Sequence, residues 1–454
     1  MKSTLLAVVY LSLACTNQAA EPQTLPPGEP EAGGPEAQAT TITATTTTQA
    51  PIPKRFSLLR RLSAQFMEAF DADRQTLAAG LHAIEVPYPL VRGTFHFHSR
   101  LSHDSVGTIE EIVRAAKATG TRIIGFTEHP SRSVDVIAEN IKGWHDGVYF
   151  LAGTESHNQL FWPGREGEDD LRFVCHPEEV PTFDRTLYDG MEIYNTHSDL
   201  KEEPTSGLIT AMLLNLAAVQ KHPEAAFCSF FDPPKNFLAR FDRLTASGPF
   251  AGIAANDSHQ NQRLKLEAWP DGTVVAYDMT DEPVWKANGI QARLVMVALG
   301  QNTLPAVKKV LADIQLDPYE ISMRHVGTFL QLQDNQINEH SVRAALRGGR
   351  AILGFELIAP LPAAGFWVAK AGAPLGTVGD TVRWQEGLAL HTRLPLAAEI
   401  RIVRNGKTFR AATTDTLDIK SLPPGVYRLE AYQRLASQRY PWVLSNPIYV
   451  NGKP

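Results

Sequence analysis

The sequence is short of cysteine, of excess positive charge and of long apolar runs, and each shortage closes off a class of protein. Three cysteines in 454 residues, Cys15, Cys175 and Cys228, are too few for a disulfide framework. With 43 Lys and Arg against 49 Asp and Glu, the formal net charge of −6 offers no broad positive field to nucleic acid, and none is expected as a partner. The apolar run from Leu5 to Leu13 is too short to span a bilayer, and no second long one follows. No internal repeat is visible.

The start of the chain reads as an export signal. Lys2 precedes the apolar run, and Ala14 places a small residue before Cys15, although Ser12 stands where leucine is usual. Over residues 1–15 this predicts a signal peptide with a lipidated Cys15. The expectation is a periplasmic or cell-surface lipoprotein of a bacterium, held to the membrane by that lipid. Residues 16–54, rich in Pro, Gly, Ala, Glu and Thr, have almost nothing to bury. They read as a disordered tether with an end-to-end distance on the order of 35 Å.

The remainder is long enough for more than one domain. Over residues 55–361 short apolar runs alternate with helical patterns. Strand-like runs are Thr94 to Phe97, Arg122 to Thr127, Val148 to Ala152, Leu171 to Cys175, Gly190 to Tyr194, Ala225 to Phe230 and Phe250 to Ala255. Thr108 and Glu111 form a capping box that opens a helix ending at Gly120. Helical patterns also cover residues 207–220 and 235–246. Such alternation predicts a parallel sheet, open or closed into a barrel. Over residues 362–454 the helices vanish, and runs such as Leu388 to Thr392, Glu399 to Val403 and Tyr427 to Tyr432, with a turn at Asn405-Gly406, predict a small antiparallel β-sandwich.

The informative pattern is where histidine and carboxylate residues fall relative to the strands. His96 and His98 close the first, and alternation places them on one face with their Cα atoms about 7 Å apart. His129 follows the second strand, Glu155 the third, His176 the fourth and Asp257-Ser258-His259 the last. In a β/α barrel the carboxyl ends of the strands share one mouth, so these residues would meet. Imidazole mixed with carboxylate suits Zn, Mn or Fe, whereas Ca or Mg prefers oxygen alone.

Seven segments then carry a resemblance: His96-Phe-His98, Ser102-His103-Asp104, Thr127-Glu128-His129, Gly153-Thr-Glu155, His176-Pro177, Glu192-Ile-Tyr-Asn195 and Asn256-Asp257-Ser258-His259. In that order they resemble the motifs of the polymerase-and-histidinol-phosphatase (PHP) superfamily of metal-dependent phosphoesterases, across residues 92–260. The resemblance implies a distorted, TIM-like, seven-stranded β/α barrel followed by an immunoglobulin-like β-sandwich, in an α/β chain. It also implies two or three divalent metals. His96, His98 and Asp257 would hold the first, with Glu155 bridging to a second that also takes His176. His103, His129 and His259 would hold the third, with Asp104 as the alternative to His103. His157 or His197 would complete the second. A hydroxide bridging two cations would attack a small anionic phosphorylated substrate. Glu128 and Arg100 are the candidate catalytic residues, Glu128 as a base or as support for a ligating imidazole, and Arg100, with Arg132, as a phosphate contact. The competing reading is a metal-binding surface lipoprotein that recognises a glycan or protein without turnover.

The remaining polar candidates read as structural. His145, His222, His325, His340 and His391 are given no role, Glu192 and Asn195 fit either the site or a helix cap, and the Asp169-Asp170 and Glu178-Glu179 pairs read as solvated loop charges. Residues 156–172 and 260–292 read as loops that set specificity.

Overall fold

The computed structural model describes residues 56–164, 169–201, 211–212, 214–278 and 281–452. The export signal, Cys15 and the tether over residues 16–54 lie outside the described residues, as do residues 207–210 and 213 of the helix expected over 207–220.

The site is built on one run of strands. β1 (Val91–Phe97) is followed by the helix Ile109–Thr119, which has the expected Thr108–Glu111 capping box and ends at Gly120 with φ 71°. Its apolar face, Ile112, Val113 and Ala116, packs with Phe97, Ile124 and Phe126. Then come β2 (Ile123–Phe126), β3 (Gly143–His145), β4 (Val148–Leu151), β5 (Thr154–Ser156), β6 (Gln159–Trp162), β7 (Leu171–Val174), β8 (Gly190–Asn195) and β9 (Ala251–Ser258). Parallel pairs join β4 to β2, β2 to β1, β1 to β9, β9 to β8 and β8 to β7. β5, β6 and β7 pair antiparallel, and an isolated bridge between Glu128 and Thr154 links the end of β2 to β5. The parallel strands present their carboxyl ends at one edge, as the pattern of buried runs predicts. The result is a mixed α/β fold with large sheets.

Three expectations need correction. Ala225 to Phe230 is not a strand: Pro223–Cys228 is a helix with proline at its first turn. A short apolar run fits either element, and Pro223 at that position favours the helix. Residues 260–292 are not a loop. They hold β10 (Arg263–Ala268), β11 (Val274–Tyr277) and β12 (Pro283–Ala287), which form with β13 (Lys309–Gln315) a separate antiparallel sheet in the order β12-β11-β10-β13. Within 156–172, likewise, β6 runs between two antiparallel neighbours, with Leu160 and Trp162 wholly buried.

β14 (Gly327–Leu330) adds antiparallel to β1, and β15 (Ala351–Gly354) adds to β14. All later elements are strands: β16 (Gly365–Lys370), β17 (Ala373–Thr377), β18 (Thr381–Arg383), β19 (Leu388–Arg404), β20 (Lys407–Lys420), β21 (Gly425–Leu435), β22 (Gln438–Ser445) and β23 (Ile448–Asn451). The two runs expected as separate strands are one 17-residue strand, β19, whose register against β20 shifts between Arg393 and Ala398. Pro395 sits in that shift, where a missing N–H costs no ladder bond. β15 also pairs with β22, so the C-terminal strands connect to the earlier sheet. The helix Ala64–Ala79 was not anticipated; its Phe70 meets Tyr440 of β22 edge to face. Among the described residues no helix is long and apolar enough to cross a membrane.

Candidate metal centre

Plain alternation does not bring His96 and His98 together. The register of β1 shifts between Phe95 and Phe97 against both β2 and β9, and His96 occupies that bulge with φ 58°. A bulge re-aims a side chain, here toward the strand ends. His176, just after β7, has φ 44°, and Asp257, in β9, has φ 46°. Non-glycine residues rarely adopt this left-handed backbone, and its cost, on the order of 1 kcal/mol or more each, gathers at functional sites.

These side chains converge. Glu155 Oε1 is 3.1 Å from His176 Nε2, while Glu155 Oε2 is 3.0 Å from His96 Nε2, 3.4 Å from His98 Nε2 and 3.6 Å from His129 Nδ1. Asp257 Oδ1 is 3.3 Å from His96 Nε2, 3.6 Å from His98 Nε2 and 3.4 Å from His259 Nδ1. Its Oδ2 is 3.4 Å from His176 Nε2 and 3.2 Å from His197 Nδ1. Two carboxylates thus stand among six imidazoles. His197 belongs to the cluster, whereas His157 turns to the Ser156 hydroxyl.

Loop placement separates the other candidates. His103 is 78% exposed along its side chain, and its neighbour Asp104 faces inward, with Oδ2 3.4 Å from both His129 Nε2 and His259 Nε2. Arg100 is exposed. Glu128 is fully buried; its carbonyl accepts from the Glu155 amide, but its carboxylate makes no hydrogen bond to a cluster side chain among the described residues. It accepts hydrogen bonds from the Ser99 amide and hydroxyl, the Ser102 hydroxyl and the Asn140 amide. Glu128 is therefore a positioning residue acting through Ser102, whose oxygen lies 3.0 Å from His98 Nδ1. Ser99, Ser102 and Asn140 carried no readable signal, beyond Ser102's place in a motif. Glu178, expected as a solvated charge, accepts from the Ser198 hydroxyl and stands 3.7 Å from His176 Nδ1.

Hydrogen bonding fixes how the imidazoles face. Glu192 Oε1 lies 2.5 Å from His96 Nδ1, and a carboxylate can only accept, so His96 donates from Nδ1 to Glu192 and turns Nε2 toward the cluster. Ser102 spends its one hydrogen on Glu128 and accepts from the His129 amide, so His98 Nδ1 donates to it and Nε2 is left bare. Asn195 both donates to Glu192 and caps the helix Thr196–Lys201 through the His197 and Ser198 amides, so both readings of that pair hold.

Burial, then the neighbouring His259, pushes His98 down to about 3. Burial raises the Glu128 carboxyl. For His176 burial works downward, yet Glu155 and Glu178 lift it to about 10. Cys175 and Cys228 are both buried free thiols; Cys175 Sγ lies 3.5 Å from Glu155 Oε1, and burial raises it well above the usual thiol range.

Whether these residues fit metal ions is decided by what they leave unpaired. His96 Nε2, His98 Nε2, His259 Nε2 and Asp257 Oδ2 are buried and make no hydrogen bond of good geometry, although His96 Nε2 and Asp257 Oδ2 lie 3.0 and 3.2 Å from Glu155 Oε2 and His197 Nδ1 respectively. Orphaned buried polar atoms are rare and costly, yet four here aim at one place. Two donors about 2.1 Å from one tetrahedral ion stand about 3.4 Å apart, within the range of separations above. Two groups have donors that can share an ion: His96, Glu155, His176 and Asp257, and His98, His129 and His259; a third is His197, Asp257 and His259. The clusters fit divalent metal binding.

A strand-end cluster of imidazoles and carboxylates on an α/β sheet is a candidate metal site. Residues 94–218 match the family model of the PHP domain, the family whose motif order the sequence resembles. That segment includes His96 to His197, whereas Asp257 and His259 lie beyond it. A crystal structure of a two-domain protein containing a predicted PHP-like metal-dependent phosphoesterase, from Bacteroides vulgatus, is similar at 12% identity and a TM-score of 0.32, covering 80% of this chain and 99% of that one. No curated protein matches.

Proposed function

We propose that this protein is an exported hydrolase of phosphate esters whose strand-end cluster holds two or three divalent ions of the zinc, manganese or iron kind. The observation that carries the reading is that Glu155 and Asp257 each face imidazoles of both main donor groups. Either carboxylate is thereby suited to bridge two ions. His96 and His176 would serve one ion, and His98, His129 and His259 the next, with Asp104 beside the latter in the place first considered for His103. Such ions, when bound, polarise a phosphoryl oxygen and lower the pKa of water.

The chain's own part is orientation. Glu192 and the Ser102–Glu128 pair hold His96 and His98 with their Nε2 atoms inward, so neither ring need turn when a cation arrives. Barrel closure and an immunoglobulin-like C-terminal part belong to the same proposal; the ring of pairings from β1 to β9 and the all-strand region after Gly365 support them.

The test is elemental analysis of the purified protein, paired with turnover of a chromogenic phosphomonoester and phosphodiester with and without chelator. Two or three metals per chain and chelator-sensitive turnover are expected. Metal without turnover of either ester would favour a binding protein, and absence of metal would overturn the assignment.

A further inference from the structure

Beside the cluster lies a cavity of about 800 Å³, within the size range of small-molecule pockets. It adjoins the metal centre through the chain: Pro177 and Glu178 follow His176, Ser198 follows His197, and Glu178 stands 3.7 Å from His176 Nδ1. Its far wall is the helix Lys235–Thr245, which supplies Lys235, Arg240 and Arg243. Glu178 and Asp232 are the carboxylates of the lining, and Glu178 is taken up by Ser198 and His176. Three cations therefore face one engaged carboxylate and Asp232. Four prolines and Phe237 complete the wall with apolar surface.

The three cations differ in what they are free to do. Arg240 donates to the Pro177 carbonyl at 2.6 Å and lies over the Phe183 ring, 4.7 Å from its centroid, so it fixes the loop after His176. The side chains of Lys235 and Arg243 are exposed and make no hydrogen bond or ion pair among the described residues. An ester reacting at the metal centre would leave room in this cavity for one of its substituents.

We infer that the cavity between His176 and the helix Lys235–Thr245 is a leaving-group subsite, selecting phosphate esters whose alcohol part has an apolar body and its own negative charge. The inference rests on the phosphoesterase reading for the bond that is cut, but the subsite is defined by binding alone. Lys235 and Arg243 contact the second anion, the prolines and Phe237 contact the apolar body, and Arg240 holds the wall.

The test uses the full chain loaded with metal and two probes that differ by one charge, phenyl phosphate and 4-carboxyphenyl phosphate. Calorimetry is expected to give tighter binding of the carboxylated probe. In Lys235→Ala/Arg243→Ala that preference should shrink about fivefold to tenfold, as two solvent-exposed charge contacts allow. Lys235→Arg/Arg243→Lys, which keeps both charges, should retain it. Equal affinity for the two probes in the natural protein, an unchanged preference in the double variant, or no binding of either probe overturns the subsite. Discrimination without turnover of either probe would leave the subsite standing and sink the phosphoesterase reading alone.

Discussion

Two regions of this molecule bury charge in opposite ways. In the C-terminal strands Arg428, 5% exposed, donates from Nε and Nη2 to Asp242 at 2.6 and 2.7 Å, and from Nη1 to Glu430 at 2.6 Å. Glu430 accepts in turn from the Tyr432 hydroxyl, and Arg439 pairs with both oxygens of Glu399. At the strand-end cluster four buried donor atoms make no hydrogen bond of good geometry, and three residues sit on left-handed backbone. The charges of the C-terminal network are paired with one another and serve the fold, although Arg401 Nε and Thr392 Oγ1 of the same strands have no partner. Unpaired donors and left-handed backbone gathered at one place are the physical ground for reading the cluster as functional.

The comparison breaks most sharply on Asp257. Asp257→Ala removes a carboxylate that faces five imidazoles. Metal content should fall, and turnover should drop on the order of 10³-fold, since metal-centred charge stabilisation is worth several kcal/mol. Added metal should raise the thermal midpoint of the natural protein but not of this variant; a preserved rise would contradict the assignment. Arg428→Ala is the counterpart. It strands Asp242 and Glu430 without their cation, and breaking a buried pair this way costs about 3–5 kcal/mol. Its denaturant midpoint should fall while metal content and the metal-dependent rise persist. Loss of metal in Arg428→Ala would mean that the two regions are not separable.

Much of the cluster was legible because its residues are chemically distinctive and fall at strand ends. His96, His98, His129, Glu155, His176, Asp257 and His259 all converge where the motif order places them. What was not legible depends on backbone detail. The bulge that turns His96 has no residue signature, and the choice between His103 and Asp104 is made by the path of residues 99–108, not by their identity. Glu128 read as a candidate catalytic residue from its place before His129. The Ser99 and Ser102 hydroxyls that claim it are two residues among many serines. The β10–β13 sheet escaped notice because its strands are short and flanked by charge, and β20 because it is mostly polar and solvent-facing.

The smallest test concerns strain where no function compensates it. The turn joining β21 to β22 places Ala436 at φ 47° and Ser437 at φ 65°, between the paired Leu435 and Gln438. Two-residue hairpin turns of this kind require positive φ at both central positions and favour Asn-Gly. Neither residue faces the metal centre; the Ala436 amide donates to Asp73. Ser437→Gly should therefore raise stability by about 1 kcal/mol, read from a denaturant midpoint, with metal content unchanged. The same relief at His96, by His96→Gly, would remove the strain and the ligand together, and metal binding should fall with it. If Ser437→Gly brings no gain, left-handed backbone costs little in this fold, and strain no longer distinguishes the cluster from an ordinary turn.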